Sequence, residues 1–273
     1  MKIDVAVVQM LPEFCDREHN LDKMASFVKK IIAEKGKCDL IIFPELITTG
    51  YECGDKFYEL AEIFPEGKSI DLIAKLAREY GAHIIFGFAE KDCNMEGVLY
   101  NSVALIDNDG NPVGVYRKVH LSDKEFLIFR PGCEFPIFKT KIGNIGMMIC
   151  WDTLFPEAAR IMAIQGTDLL VVSTNWEKPY SKEWDLMTSA RALDNTLHLA
   201  AANRIGSDKG ELAFFGHSRI LDPLGNVLAK IDEEVEAYTS AEVDYDMTTK
   251  LRREWTQLRE RRPDAYEILT RRY

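Results

Sequence analysis

The chain has 273 residues, 47% hydrophobic and 29% charged, which is the make-up of a soluble globular enzyme with enough material for a large core. A formal net charge of −10 argues against nucleic-acid binding, and no apolar run approaches the roughly 18 residues of a membrane helix. The N-terminus lacks the features of a signal peptide, and the six cysteines form neither a C-x-x-C pair nor a zinc-like cluster, so a cytoplasmic protein with free thiols and no metal is expected. In chain order, Ile3–Gln9 reads as a strand. Asn20–Glu34 reads as a helix, because Leu21, Met24, Phe27, Val28, Ile31 and Ile32 recur at helical spacing. Asp39–Phe43 is a buried strand. Ser69–Tyr80 is a helix with Ser69 as its N-cap and Gly81 as its stop, and His83–Phe88 is a strand. Ser102–Asp107 and Val113–Tyr116 flank Asn108-Asp109-Gly110-Asn111, a hairpin signal. A second hairpin pairs Pro136–Lys139 with Ile145–Ile149. Pro156–Gln165 is a helix, Asp168–Ser173 a buried strand, Glu183–Asn195 a helix and Leu197–Asn203 a strand. A third hairpin, Ser218–Asp222 with Val227–Ile231, precedes the strand Glu236–Val243. No linker or internal repeat is visible, so one domain over 1–273 is expected, with mixed sheets covered by helices.

Three of these strands end on residues that can carry chemistry. Cys150 closes Ile145–Ile149, Glu45 follows Asp39–Phe43 after Pro44, and Lys118 follows Val113–Tyr116. Strand carboxyl ends are where α/β folds place reactive groups. Each residue alone also fits a plain structural role: a small buried thiol, a salt-bridged acid, a surface lysine. Together they supply a nucleophile, a proton acceptor and a cation for an oxyanion, the set that amide hydrolysis needs. Sequence alone does not make the three strands neighbours. A Cys–His arrangement using His120 or His217, and a binding or scaffold protein without activity, are the competing readings.

The residues resemble the nitrilase superfamily of carbon–nitrogen hydrolases over essentially the whole chain. The resemblance rests on the order of short segments: Phe43-Pro44-Glu45, Tyr116-Arg117-Lys118-Val119-His120-Leu121, Pro131-Gly132, Ile149-Cys150-Trp151-Asp152 and Phe155-Pro156-Glu157. It continues through Arg191-Ala192-Leu193-Asp194-Asn195, Ala202-Asn203-Arg204, Asp222-Pro223-Leu224-Gly225 and Arg261-Arg262-Pro263-Asp264. It implies a four-layer α-β-β-α sandwich, with Glu45 as general base, Lys118 as oxyanion cation and Cys150 as nucleophile. It also implies a second glutamate, for which Glu125 fits and Asp123 competes, and no metal or cofactor. The expected substrate is a small linear amide, with a carbamoylated amine as the alternative. Thr153 and Leu154 stand where carbamoyl-amino-acid hydrolases often carry arginines, and Trp151-Asp152 differs from the Trp-Glu usual in true nitrilases.

Trp151, Asn175, Trp176, Glu177 and Tyr180 are the candidates for the substrate pocket, and Trp176, Glu177 and Tyr180 also fit simple packing at its rim. The family implies a homodimer or higher homo-oligomer. The tail from Lys250 to Tyr273 carries eight Lys/Arg against four acids on an acidic chain, as expected of a segment at a subunit interface.

Overall fold

The computed structural model describes residues 1–209 and 212–271. The strands are β1 (Lys2–Gln9), β2 (Leu40–Ile42), β3 (His83–Lys91), β4 (Leu99–Ile106), β5 (Pro112–Arg117), β6 (Ile137–Thr140), β7 (Gly143–Ile149) and β8 (Leu169–Thr174). They continue with β9 (His198–Asn203), β10 (Ile205–Ser207), β11 (Ala213–Phe215), β12 (Arg219–Leu221), β13 (Val227–Lys230) and β14 (Ala237–Asp244). The helices are α1 (Arg17–Lys35), α2 (Phe57–Leu60), α3 (Lys68–Tyr80), α4 (Pro156–Ile164), α5 (Ser181–Asn195) and α6 (Tyr245–Glu254). Among the described residues none of them is long and apolar enough to cross a membrane.

One six-stranded sheet runs β14-β1-β2-β3-β4-β5 and another β6-β7-β8-β9-β12-β13. In each, three parallel strands (β1, β2, β3 and β7, β8, β9) are flanked by antiparallel ones. The central strands β2, β8 and β9 are buried on both faces, whereas the edges β13 and β14 are half exposed, as expected where one face or edge meets water. Alternation sorts the layers. Val5, Val7, Leu40 and Ile42 turn inward and pack with Ile145, Met147, Leu169 and Val171 of the other sheet. Their neighbours Ala6, Val8, Ile41 and Phe43 turn outward, beneath Met24, Val28 and Ile31 of α1 and Ile70, Ile73 and Leu76 of α3. α4 and α5 cover the far side of the second sheet with Ala159, Met162, Trp184 and Ala192. The result is the expected α-β-β-α sandwich.

Local chemistry sets the helix ends. The Asp16 carboxylate accepts the His19 N–H at 3.0 Å to start α1, and Gly36 at φ 78° ends it. Gly81 ends α3 at φ 65°, as the sequence predicts. The other end of α3 corrects an expectation. Ser69 is not the N-cap; Gly67 is, and Ser69 N–H donates to Glu62 Oε1 at 3.0 Å. A carboxylate from the preceding segment takes the orphan N–H that a capping side chain would otherwise serve.

Both D-x-x-G-N turns share one construction. Asp107 accepts the N–H groups of Asp109 and Asn111, and Asp222 those of Leu224 and Asn226. Gly110 and Gly225 take φ 80° and 79°. Each turn joins a strand pair with a register shift near its end, so the β4–β5 and β12–β13 hairpins occupy equivalent places in two sheets of like topology.

Candidate active site

In the first sheet the carboxyl ends of β2 and β5 lie beside the start of β4, because β2 and β5 run parallel to β3 while β4 opposes them. The ends of β7 and β8 in the second sheet meet them there, where Asn175 after β8 bonds Glu45 and lies against Cys150 after β7. β2 leads through Pro44 into Glu45. Gly87 on β3 makes this turn possible: a Cβ there would lie 2.5 Å from Leu46 N and 2.6 Å from Glu45 Cα. Gly87 N–H donates to Pro44 O at 3.1 Å, fixing the turn against the sheet. Lys118, after β5, is held similarly. Its N–H donates to Asn101 O at 2.9 Å and its C=O accepts Gly132 N–H at 2.8 Å. A Cβ at Gly132 would meet Arg117 O at 2.3 Å, which gives the Pro131-Gly132 motif a steric reason.

Glu45, Lys118 and Glu125 meet in a buried cluster. Lys118 Nζ donates to Glu45 Oε1 and Glu125 Oε1, both at 2.9 Å. Glu45 and Lys118 are fully buried, and Glu125 is 6% exposed. Glu45 Oε2 accepts Asn175 N–H at 2.7 Å, and Glu125 Oε2 accepts Ser122 N–H at 2.7 Å. Burial pushes the Glu45 carboxyl up and the Glu125 charge adds to it, against the pull of Lys118. Burial alone would lower Lys118, but the two carboxylates outweigh it and hold its ammonium well above the ordinary lysine range. Of the two acids proposed for the second position, Glu125 enters the cluster; Asp123 is exposed, with φ 40°.

Cys150 follows β7 at φ 43°, in the left-handed region, and opens a tight turn over Cys150–Leu154. Its Sγ lies 3.9 Å from Asn175 O, so Asn175 touches Glu45 through its N–H and the thiol through its carbonyl. Burial raises the Cys150 thiol, Glu45 raises it further and Lys118 lowers it, so all three share one electrostatic environment. The resting sulfur is therefore a thiol, and an attack by it calls for a base.

Asp152 anchors the turn. Fully buried, it accepts Tyr116 O–H at 2.7 Å, His120 N–H at 3.0 Å and Ile149 N–H at 3.1 Å. This ties the Lys118 segment to the Cys150 segment. His120 Nδ1 faces Asp152 Oδ1 at 2.8 Å, with the ring flat on Phe155 at 3.6 Å. Among the described residues no hydrogen bond joins His120 or His217 to Cys150, which leaves a Cys–His pair without structural support.

The pocket candidates divide. Trp151 and Tyr180 are exposed at 40% and 48%. Trp176 is 5% exposed, packs on Trp184 and donates its indole N–H to Tyr180 O at 3.0 Å, so it stands as a wall whose polar atom is already used. Asn203 Oδ1 accepts Trp176 N–H at 2.8 Å, which is what the Ala-Asn-Arg segment contributes. Glu177 is part-buried, and burial, then Asp123 and Glu52, push its carboxyl up. Asn101, whose Nδ2 contacts both carboxylates, and Tyr51 have no place in the sequence reading. Burial, then Glu125, hold the Tyr51 phenol well above its ordinary range, and Glu45, Lys118 and Cys150 act on it too. The Tyr51 loop is fixed by Asp208, which accepts the N–H groups of Tyr51 and Glu52 at 2.6 and 2.9 Å and pairs with buried Arg204 at 2.6 Å.

Comparison with known proteins agrees with this architecture. Residues 4–253 match the family model described as carbon-nitrogen hydrolase. A Schizosaccharomyces pombe protein named as a probable nitrilase is 51% identical over 98% of this chain and 99% of its own. The N-carbamoylputrescine amidase of Arabidopsis thaliana is 35% identical over 85% of this chain and 84% of its own. The crystal structure of a carbon-nitrogen hydrolase from Helicobacter pylori G27 superposes with a TM-score of 0.92 at 31% identity, covering all of both chains. The chain belongs to the carbon–nitrogen hydrolase family of the nitrilase superfamily and acts on carbon–nitrogen bonds other than peptide bonds.

Proposed function

We propose that the protein is a thiol amidase of small linear amides, with Cys150 as nucleophile, Glu45 as general base and acid, and Lys118 as the oxyanion cation. The observation that carries this reading is the buried Glu45–Lys118–Glu125 cluster on the strand-end edge it shares with Cys150. Glu45 takes the thiol proton as Cys150 Sγ bonds to the amide carbon. The oxyanion rests on Lys118 Nζ and the Trp151 N–H. Collapse breaks the carbon–nitrogen bond, and Glu45 returns the proton to the departing ammonia or amine. Water, losing a proton to Glu45, then cleaves the thioester and releases the acid and the thiol. Glu125 holds Lys118 and orients the substrate nitrogen. A thiol nucleophile and five further free cysteines suit the reducing cytoplasm.

The second reading is a carbamoylated amine with a distal cation. Glu177, close enough to Asp123 and Glu52 to feel their charges, favours it. The test is ammonia release across aliphatic amides, carbamoylated diamines and nitriles. Turnover of neutral amides is expected; no release from any amide removes the leading reading. Glu177→Gln should lower kcat/KM for a carbamoylated diamine about fivefold, the worth of one part-exposed ion pair, and leave a neutral amide unchanged if the second reading holds.

We also propose that the protein works as a homodimer or larger homo-oligomer built through the outer faces of α4 and α5. Ile161 and Ile164 on α4 and Leu186 and Leu193 on α5 are 40–54% exposed. The basic tail, whose residues 272 and 273 lie outside the described residues, crosses α5 where Gln257 Nε2 donates to Leu193 O and Asp194 O. A second copy of the chain is the occupant that fits an apolar helix face flanked by such a tail on an acidic protein. Sedimentation should show a dimer or larger species that Leu186→Asp with Ile164→Asp dissociates. A wild-type monomer at micromolar concentration overturns the assignment.

A further inference from the structure

Asn101, near the start of β4, touches every charged member of the buried cluster. Its Nδ2 donates to Glu45 Oε1 at 2.7 Å and to Glu125 Oε1 at 2.8 Å. Lys118 Nζ reaches the same two oxygens, so the four atoms close a ring: two carboxylate oxygens bridged on one side by an ammonium and on the other by a neutral amide. The Asn101 backbone C=O meanwhile accepts the Lys118 backbone N–H. We infer that Asn101 is a positioning residue that acts through Glu45, holding the carboxylate oriented and ionised to receive the Cys150 proton.

The charge balance explains why such a group is needed. Two carboxylates against one ammonium leave one negative charge in a cluster where Glu45, Lys118 and Asn101 are all fully buried. Neutral donors must stabilise it. The Asn175 N–H serves Glu45 alone and the Ser122 N–H serves Glu125 alone; the Asn101 amide serves both. The groups facing Glu45 are Lys118 after β5, Glu125 on the 123–127 turn, Cys150 after β7 and Tyr51 on its own following loop. Burial and Glu125 push the Glu45 carboxyl up, and Lys118 and Asn101 pull it down. Without the amide the carboxyl rises further, so Glu45 stays protonated to higher pH and the acid limb of any step using it as base moves to higher pH.

This inference rests on Glu45 being the base, and its test separates the two claims. Alkylation of Cys150 by iodoacetamide, followed peptide by peptide by mass spectrometry, reports the thiol's activation without any substrate. It is measured against pH for wild type, Glu45→Gln, Asn101→Ala and the same-sized Asn101→Asp, beside kcat and KM on an amide. Asn101→Ala should move the acid limb up by about one pH unit and lower kcat about 10- to 100-fold with little change in KM. Asn101→Asp, which adds a third carboxylate to one ammonium, should lose at least as much at neutral pH. A limb that vanishes in Glu45→Gln but stays in place in both folded Asn101 variants overturns the inference alone. A limb that survives Glu45→Gln overturns the base assignment, and this inference with it.

Discussion

Cys150→Ala is expected to abolish amide hydrolysis, a fall of at least about 10⁴-fold, while the protein stays folded. The sulfur is the proposed attacking atom, and the turn that carries it is held by bonds that do not involve the sulfur. Asp152 accepts from Tyr116, His120 and Ile149, and Asn175 bonds Glu45 through its N–H. The thiol itself makes two weak contacts, 3.9 Å to Asn175 O and one with the buried Thr174 hydroxyl, so deleting it should change stability by only about 1–2 kcal/mol. The substitution keeps a Cβ at φ 43°, so the turn's backbone strain is unchanged. Cys150→Ser should be nearly as inactive. Burial already raises the thiol far enough to require Glu45, and an alcohol in the same place is a much weaker acid. Ammonia release gives the rate, and intact mass under acid quench gives the acyl adduct. Wild type should gain the mass of the acyl group and both variants should not. Activity within tenfold of wild type in Cys150→Ala would transfer the nucleophile to another group.

The sequence carries the reacting groups because each sits where a strong pattern stops. Glu45 and Cys150 follow buried apolar strands and Lys118 follows the part-buried edge strand β5, whose Tyr116 packs into the core, and together these carry the three ends to one edge of the sandwich. Glu125 has a second signal, since Ser122-x-x-Glu125 is a capping-box pattern and its carboxylate does reach back to Ser122 N–H. Asn101 has no such signal. An asparagine within β4 looks like any polar residue on a strand, and its meaning comes from Ala89 opposite it and Glu45 beyond, contacts set by sheet order alone. Tyr51 is hidden for a related reason, since its loop is fixed by Asp208, 157 residues away. The likeness of the two sheets is also invisible as a repeat. Only Asp107–Asn111 and Asp222–Asn226 keep a shared pattern, because only those turns demand particular residues, whereas the strands accept any apolar side chain of suitable shape. The short strands β10 and β11 and the strongly charged α6 fall below what periodicity detects.

Lys118→Met should lower both stability and rate, and the pH dependence of the stability loss distinguishes its cause. Methionine matches the stem of lysine, so the change removes a charge more than it removes volume. Glu45 and Glu125 would then face each other across the Asn101 amide in full burial, without a cation. Breaking a buried pair this way costs about 3–5 kcal/mol. In wild type the lysine is held well above its ordinary range, so its contribution is complete below the lysine value of an unfolded chain and constant from acid to neutral pH. In the variant one carboxyl relieves the repulsion by taking a proton. Burial already raises the Glu45 carboxyl in wild type, and without the pull of Lys118 it rises further, so relative to wild type the variant is more stable at low pH and loses ground as pH rises. The difference in unfolding free energy between wild type and Lys118→Met, measured in urea, should therefore widen from about pH 5 to pH 8. The rate falls for two reasons. The oxyanion loses a donor worth about 10²- to 10³-fold, and a Glu45 that has taken up a proton no longer accepts one from Cys150. A stability gap independent of pH, with kcat reduced less than about tenfold, would mean that Lys118 neither neutralises the carboxylates nor meets the transition state.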